Sequence, residues 1–342
     1  MVKKISRADV ARMAGVSEST VSRALNDSPR ISADVKERVR NTAAHLGYVP
    51  NRQAALLARN KTFRLGLVVK TYKNFSPFTR AYFPRLLDGV LVRAEERGYS
   101  VNVVMDKAGD EFKDLSLLVR SKEVDGLIFS VTPLHDDRFE ELKAQSIPFV
   151  LVNNRVEGHH CINCDPEGGM RDAFSHARGL GHRYIGYVAG DTDYFDGLER
   201  LRIFKKLSRE YGVRHTIIEG NFSKTGGRKA AEDLLGRRNP PSLIMCASDR
   251  SALGILDYCR FVGFDVPGRV SIIGFDNLGP ARDTVPGLTT IHHPVTRMGG
   301  AATDMLVDLL EGRPVERNGT VETGFIIRES TGRPMDGEGP KG

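Results

Sequence analysis

The chain has 342 residues, 40% of them hydrophobic and 27% charged, with a formal net charge of +7, four cysteines and no tryptophan. That is length enough for two or three domains and apolar content enough for real cores, which excludes a disordered chain. No apolar run approaches the roughly 18 residues of a membrane span, the opening MVKKISRADV lacks the apolar segment of a secretory signal, and four cysteines without a regular framework suit a reducing cytoplasm.

The charge is localised. Residues 1–62 hold 12 of the 50 basic and 5 of the 43 acidic residues, so the whole excess of +7 sits in the first fifth of the chain. The rest balances at 38 of each sign. A compact basic module on a neutral body predicts a head that binds a polyanion, most directly nucleic acid.

Residues 6–47 read as three short helices. Ser6 is placed to cap the first, with Val10, Ala11 and Ala14 on one face, and Gly15 breaks it. Ser17 is placed to cap a second, Glu18 to Leu25, whose Val21 and Leu25 lie a turn apart. Ser32 is placed to cap a third, with Val35, Val39, Ala43 and Leu46 at helical spacing and Gly47 at its end. Two helices joined by Ala14-Gly15-Val16-Ser17 describe a helix-turn-helix. Its second helix would enter a major groove by its N-terminal end, which carries Ser17, Glu18, Ser19, Thr20, Ser22 and Arg23. Arg23 can bond guanine twice, Ser17 and Thr20 suit phosphates or thymine methyls, and Glu18 and Ser19 are candidates for base choice.

The next stretch, Tyr48 to Arg59, has Pro50 at its entry and Ala54, Ala55, Leu56, Leu57 and Ala58 favouring helix. It is too short to be stable alone. Paired with a twin on DNA, its leucines could wedge a base step from the minor groove.

The segments "ADVARMAGVSESTVSRALN" and "ISADVKERVRNTAAHLGYVPNRQAALLA" closely resemble the DNA-binding head and hinge of the LacI/GalR family of bacterial transcription regulators. The resemblance implies base-reading positions for Glu18, Ser19 and Arg23, a minor-groove wedge at Leu57, and DNA contacts from the hinge residues Asn51, Arg52 and Ala54.

From Phe63 the pattern changes. Apolar runs of strand length recur at Leu65–Val69, Val101–Met105, Gly126–Phe129, Phe149–Val152, Ile185–Ala189, Leu243–Cys246 and Val270–Phe275. Amphipathic stretches such as Arg85–Arg97, Ser251–Val262 and Thr296–Leu310 separate them. This alternation predicts parallel sheets with helices on both faces, in two lobes, with a ligand beyond the carboxyl ends of the strands. Those ends carry Asn153, Asn154, Arg155, Ser248, Asp249, Asp276 and Asn277, and a polar loop leads to Glu199-Arg200. Amides, carboxylates and an arginine around one crevice suit a polyhydroxylated ligand. Tyr72, Tyr82, Phe83 and Phe222 are candidates to stack on the apolar face of a sugar ring. Asp249 reads first as a helix cap and second as a pocket residue, Asp276 the reverse.

"LGHRYIGYVAG", "ASDRSALGILDY", "VPGRVSIIGFDN" and "LTTIHHPVTRMGG" resemble landmarks of the same family's effector core, which is similar to type I periplasmic sugar-binding proteins. The resemblance implies a pocket with Asn153, Arg200, Phe222, Ser248, Asp276 and His293. The chain departs from the family pattern at Asn153, Ser248 and His293, at Ile203, and in the longer loop "KTYKNFSPFTRAYF".

His159-His160-Cys161-Ile162-Asn163-Cys164 gathers four potential metal ligands. A second CxxC is missing, and adjacent histidines in a strand face opposite ways. Cys164 therefore reads as a pocket-wall or core residue, on a strand passing between the lobes, and no metal and no cofactor are expected. An enzyme finds no nucleophile elbow, P-loop, dinucleotide fingerprint or HExxH here. An architectural DNA-binding protein would leave the large body unexplained.

The fold expected is an all-α helix-turn-helix head (1–48), a hinge (49–62) and a two-lobed α/β core of the periplasmic-binding-protein type (63–333). The first lobe would span about 63–162 and 292–320, the second about 163–291 and 321–333, with a flexible tail at 334–342. The reading is a cytoplasmic homodimer that binds double-stranded operator DNA under control of a sugar-like effector. The polar tail "RPMDGEGPKG", without leucine heptads, favours a dimer over a tetramer.

Overall fold

The computed structural model describes residues 5–48, 61–71, 77–107 and 114–335. They fall into two compact units, Met1–Thr62 and Phe63–Gly342. Asn51, Arg52, Ala54 and Leu57 of the hinge, and Tyr72, lie outside the described residues.

The first unit holds α1 (Arg7–Ala14), α2 (Glu18–Leu25) and α3 (Ala33–Leu46). Ser6 and Asp9 form a reciprocal capping box, and Gly15 ends α1 at φ 66°, a left-handed conformation that favours glycine. Ser17 Oγ accepts from Thr20 N at 3.1 Å. Ser32 occupies the start of α3, but its side chain makes no cap hydrogen bond, so the capping expected of it is corrected. Val10, Val21, Ala24 and Val39 are fully buried, with Ala11, Ala14 and Ala43 beside them. Alanine at four of these seven positions lets three short helices approach closely, and each buried valine contributes about 1.5–3 kcal/mol of transfer free energy.

The second unit has two six-stranded sheets. The first contains β1 (Arg64–Thr71), β2 (Ser100–Lys107), β3 (Gly126–Ser130), β4 (Phe149–Val152), β5 (Cys161–Asp165) and β11 (Asn318–Glu322). Its order is β11-β5-β4-β3-β1-β2, parallel throughout. The second contains β6 (Tyr184–Ala189), β7 (Arg214–Glu219), β8 (Leu243–Cys246), β9 (Ser271–Asp276), β10 (Thr289–His292) and β12 (Gly324–Ile326). Its order is β12-β10-β9-β8-β6-β7, with only β12 antiparallel.

Each sheet is buried on both faces. On the first, α4 (Tyr82–Glu96) and α11 (Val295–Leu310) pack against Leu65, Leu67, Ile128 and Val150. The opposite face, with Val68, Leu127 and Phe129, is covered by α5 (Leu115–Arg120) and α6 (Arg138–Ala144). On the second sheet, α7 (Pro166–Leu180) and α8 (Phe195–Glu210) cover Ile185, Tyr187 and Ile273. Its other face packs on α9 (Lys224–Leu235) and α10 (Asp249–Val262). Ile203, the departure in the arginine segment, is a core residue of α8 at 1% exposure.

The chain passes between the lobes three times: from β5 into α7, from β10 into α11, and from β11 into β12. The first and third passages are tied together, since Thr323 Oγ1 donates to the Asp165 carbonyl (2.7 Å) and accepts from Gly169 N (3.0 Å). The second runs through His293 and Pro294.

Candidate functional site

On α2, Val21 and Ala24 face the core, which leaves Ser17, Glu18, Ser19 and Arg23 exposed and Thr20 and Ser22 half-buried. The hydroxyl of Ser17 lies 2.8 Å from those of both Ser19 and Thr20. The predicted base-reading residues Glu18 and Ser19 thus share the first turn of α2, while Arg23 lies in its last turn and is likewise exposed.

In the second unit the strand ends enclose a cleft of about 420 Å³. Arg200 stands at its centre, on α8, with 2% of its surface exposed. Nη1 donates to the Ala247 carbonyl (2.6 Å) and to Asp276 Oδ1 (3.3 Å). Nη2 donates to His293 Nδ1 at 3.2 Å. Asp196, one helical turn earlier, adds a carboxylate at 3.6 Å. The guanidinium lies 3.7 Å from the centroid of the Phe275 ring and 5.7 Å from that of Phe222. A planar cation held by carboxylates and aromatic faces keeps its charge when buried.

Tyr82 opens α4, and its hydroxyl accepts from Asn153 Nδ2 at 2.7 Å. Its ring packs edge-on to Phe83 (5.3 Å) and tilted against His293 (5.8 Å). Gly190 makes room for Phe222, because a Cβ at that position would fall 2.1 Å from the ring.

Asp249 and Ser248 exchange the roles expected of them. Ser248 is the N-cap of α10, accepting from Ser251 N at 3.2 Å, while Asp249 is the first helical residue. Asp249 is 3% exposed, and its Oδ1 accepts from Thr290 Oγ1 at 2.5 Å. The serine hydroxyl reaches the backbone without leaving the helix start, which frees the carboxylate to turn toward β10.

Burial pushes the Asp276 carboxyl above the usual range, opposed by Arg200. Burial and the charge of Asp276 push Asp249 up as well. His293 is lowered to about 3, by burial and then by Arg200, so its imidazole is neutral. Because Nδ1 accepts from Arg200, Nε2 carries the proton. His293 Nε2, Arg200 Nε and Asp249 Oδ2 are buried with no partner among the described residues.

The rim is strained in one recurring way. Val131, Asn153, Asn221, Phe222, Asp276 and Asn277 have φ of 54°, 55°, 50°, 51°, 128° and 53°. Each lies at or just beyond the end of β3, β4, β7 or β9. Such conformations cost of the order of 1–3 kcal/mol each and cluster where a site is preorganised.

Of the predicted pocket residues, Tyr82, Phe83, Arg200, Phe222, Ser248, Asp249, Asp276 and His293 line the cleft, and Asn153 is joined to it through Tyr82. The sequence reading missed Asp191, Tyr194, Asp196 and Asn221. Tyr194 receives a hydrogen bond from Lys70 Nζ at 2.7 Å, and Leu134 N donates to the Asp193 carbonyl at 2.9 Å, so both bonds span the lobes. The Asp196-x-x-x-Arg200 spacing was the one available signal for Asp196.

The four candidate ligands His159, His160, Cys161 and Cys164 form no metal-holding cluster among the described residues. His159 is buried against the Glu157 and Phe139 carbonyls. Cys161 and Cys164 sit in the cores on opposite faces of the first sheet. Burial raises the Cys164 thiol to about 12.

Two family profiles match the chain: "Bacterial regulatory proteins, lacI family" over residues 8–51 and "Periplasmic binding protein-like domain" over 174–331. The transcriptional regulator CelR of Thermobifida fusca is 30% identical over 329 residues, covering 94% of this chain and 96% of CelR. A lac repressor dimer bound to operator and the anti-inducer ONPF superposes with a TM-score of 0.83 at 26% identity, covering 96% of this chain and all of the other. A CelR–cellobiose complex superposes with a TM-score of 0.72 at 29% identity, covering 95% and 99%. With a helix-turn-helix head, a two-sheet core and a relative matching it almost end to end, the chain belongs to the LacI family of bacterial transcriptional regulators.

Proposed function

We propose that this regulator is a cytoplasmic repressor. Its heads bind double-stranded operator DNA as a homodimer, and a sugar or sugar derivative in the cleft controls that binding. The observation that carries the effector half is the cleft centre: a buried arginine with two carboxylates, a neutral imidazole and two aromatic rings around it. Hydroxyl groups can complete the buried donor at His293 Nε2 and the buried acceptor at Asp249 Oδ2, while Phe222 and Tyr82 offer faces to a ring. The likeness to CelR, solved with cellobiose, supports the same class. For the DNA half, Ser17 to Arg23 supply the contacts and the hinge, with Asn51, Arg52, Ala54 and Leu57, adds minor-groove contacts. The effector acts through different affinities for the DNA-competent and incompetent arrangements.

A thermal-shift panel of sugars, sugar acids, polyols and sugar phosphates tests the cleft. A ligand at 100 times its Kd adds about 2.7 kcal/mol to the unit it binds. A selective stabiliser recovered unchanged supports the reading. A ligand converted during incubation points to an enzyme instead.

A further inference from the structure

Arg7 opens α1 and Glu18 opens α2, and Nε of Arg7 donates to Oε2 of Glu18 at 3.1 Å. Both side chains are about half exposed, at 49% and 50%. The terminal Nη1 and Nη2 of Arg7 have no partner among the described residues. The pair therefore stands on the end of α2 that carries Ser17 and Ser19, and presents a carboxylate beside unused guanidinium donors.

A lone carboxylate on a DNA-facing surface is repelled by the phosphates. A guanidinium bonded to it cancels that charge and fixes its direction. The combination is also chemically specific. On its major-groove edge a C·G pair offers one amino donor, cytosine N4, beside two acceptors, guanine O6 and N7. Acceptor beside donors on the protein is the complement of donor beside acceptors on that edge. An A·T pair also offers a donor and acceptors there, but its thymine methyl projects where a charged pair gains nothing.

We infer that Arg7 and Glu18 together read one C·G base pair in each half-site, Glu18 accepting from cytosine N4 and Arg7 donating through Nη to guanine. This rests on the proposal that the head reads an operator. Arg7 becomes a specificity residue although it lies on α1, outside the recognition helix. If the pair only fastened α1 to α2, breaking it would leave base choice untouched, since exposed ion pairs contribute little to stability.

The test is selection from a random-sequence duplex library by the full chain and by its Glu18→Gln and Arg7→Ala variants, with the bound DNA sequenced. The wild type selects C·G at one position per half-site, favoured on the order of tenfold or more over other pairs. Glu18→Gln moves that one position toward A·T, because an amide pairs with adenine N6 and N7. Arg7→Ala relaxes the same position and no other. Thermal melts confirm that both exposed substitutions leave the fold intact. The same consensus from all three proteins overturns the inference. A wild type that converges on no sequence overturns the regulator reading itself, so the two failures are distinct.

Discussion

Arg200 donates from Nη2 to Nδ1 of His293 across 3.2 Å, and His293 lies in the passage that returns the chain from the second lobe to the first. The cation at the centre of the cleft is thus bonded to a residue on the lobe-to-lobe connection. A ligand that competes for Arg200 or His293 acts on the connection without an intermediary. His293 N also donates to the Asp276 carbonyl at 3.0 Å, so the connection is held to the end of β9 as well.

Replacing Arg200 by alanine removes the partner of the half-buried Asp196 and Asp276 carboxylates, and leaving such groups without their partner costs about 1–3 kcal/mol. We expect the second unit to melt earlier by that amount at pH 8, with a smaller loss at pH 5.5, where Asp276 takes up a proton. Equal losses at both pH values, measured by calorimetry, would detach Asp276 from Arg200.

Asp249 has the opposite sign. Its folded pKa lies above its unfolded value, so the folded state binds the extra proton and stability falls as pH rises toward neutrality. Asp249→Asn keeps the acceptor for Thr290 and removes the charge. We expect a gain of roughly 2 kcal/mol at pH 8 that fades toward pH 5. His293 works against the carboxyls on the acid side: with its pKa lowered to about 3, its contribution is present above about 6.5 and is lost as pH falls. A denaturation series between pH 5 and 8 on the wild type and Asp249→Asn isolates Asp249, because His293 is common to both proteins and cancels from the difference. A flat difference across that range would refute the assignment.

Gly190→Ala is expected to disturb the site more than the fold. The added Cβ must displace the Phe222 ring, which belongs to a side chain able to rotate away. Losing one aromatic face from a ligand costs about 0.5–1.5 kcal/mol, so effector affinity should drop several-fold while the melting temperature moves little. Calorimetric titration reports both. Unchanged affinity would remove Phe222 from the pocket.

Leu57→Ala bears on the hinge. If Leu57 wedges a minor-groove step, its loss weakens operator binding more than binding to random DNA. Equal losses on both duplexes, titrated at one salt concentration, would rule out the wedge.

Much of the fold was legible because parallel strands buried on both faces are continuous apolar runs, as in Gly126–Ser130, Phe149–Val152 and Leu243–Cys246. Most strands that escaped notice lack that signal, and the buried Thr289–His292 opens with two threonines in place of an apolar run. Arg214–Glu219 is only half-buried, and Asn318–Glu322 and Gly324–Ile326 are short, mixed segments at sheet edges. In the cleft, Arg200, Asp276 and His293 were picked out by a resemblance to a known family. Asp196 was not, because an aspartate in the first turn of a helix is ordinary dipole chemistry, and only the fold sets it beside Arg200. The exchange between Ser248 and Asp249 was equally hidden, since both are good caps and the choice falls to Thr290, forty-one residues away.

The most direct test titrates the sugar found in the thermal screen against a fluorescent duplex of the selected operator, bound to the wild type and to Arg200→Ala. The account predicts that saturating sugar shifts the wild-type operator Kd by at least about fivefold, and that the variant binds operator but does not respond. A variant that responds like the wild type, or a sugar that fills the wild-type cleft and leaves operator affinity unchanged, would contradict control through Arg200.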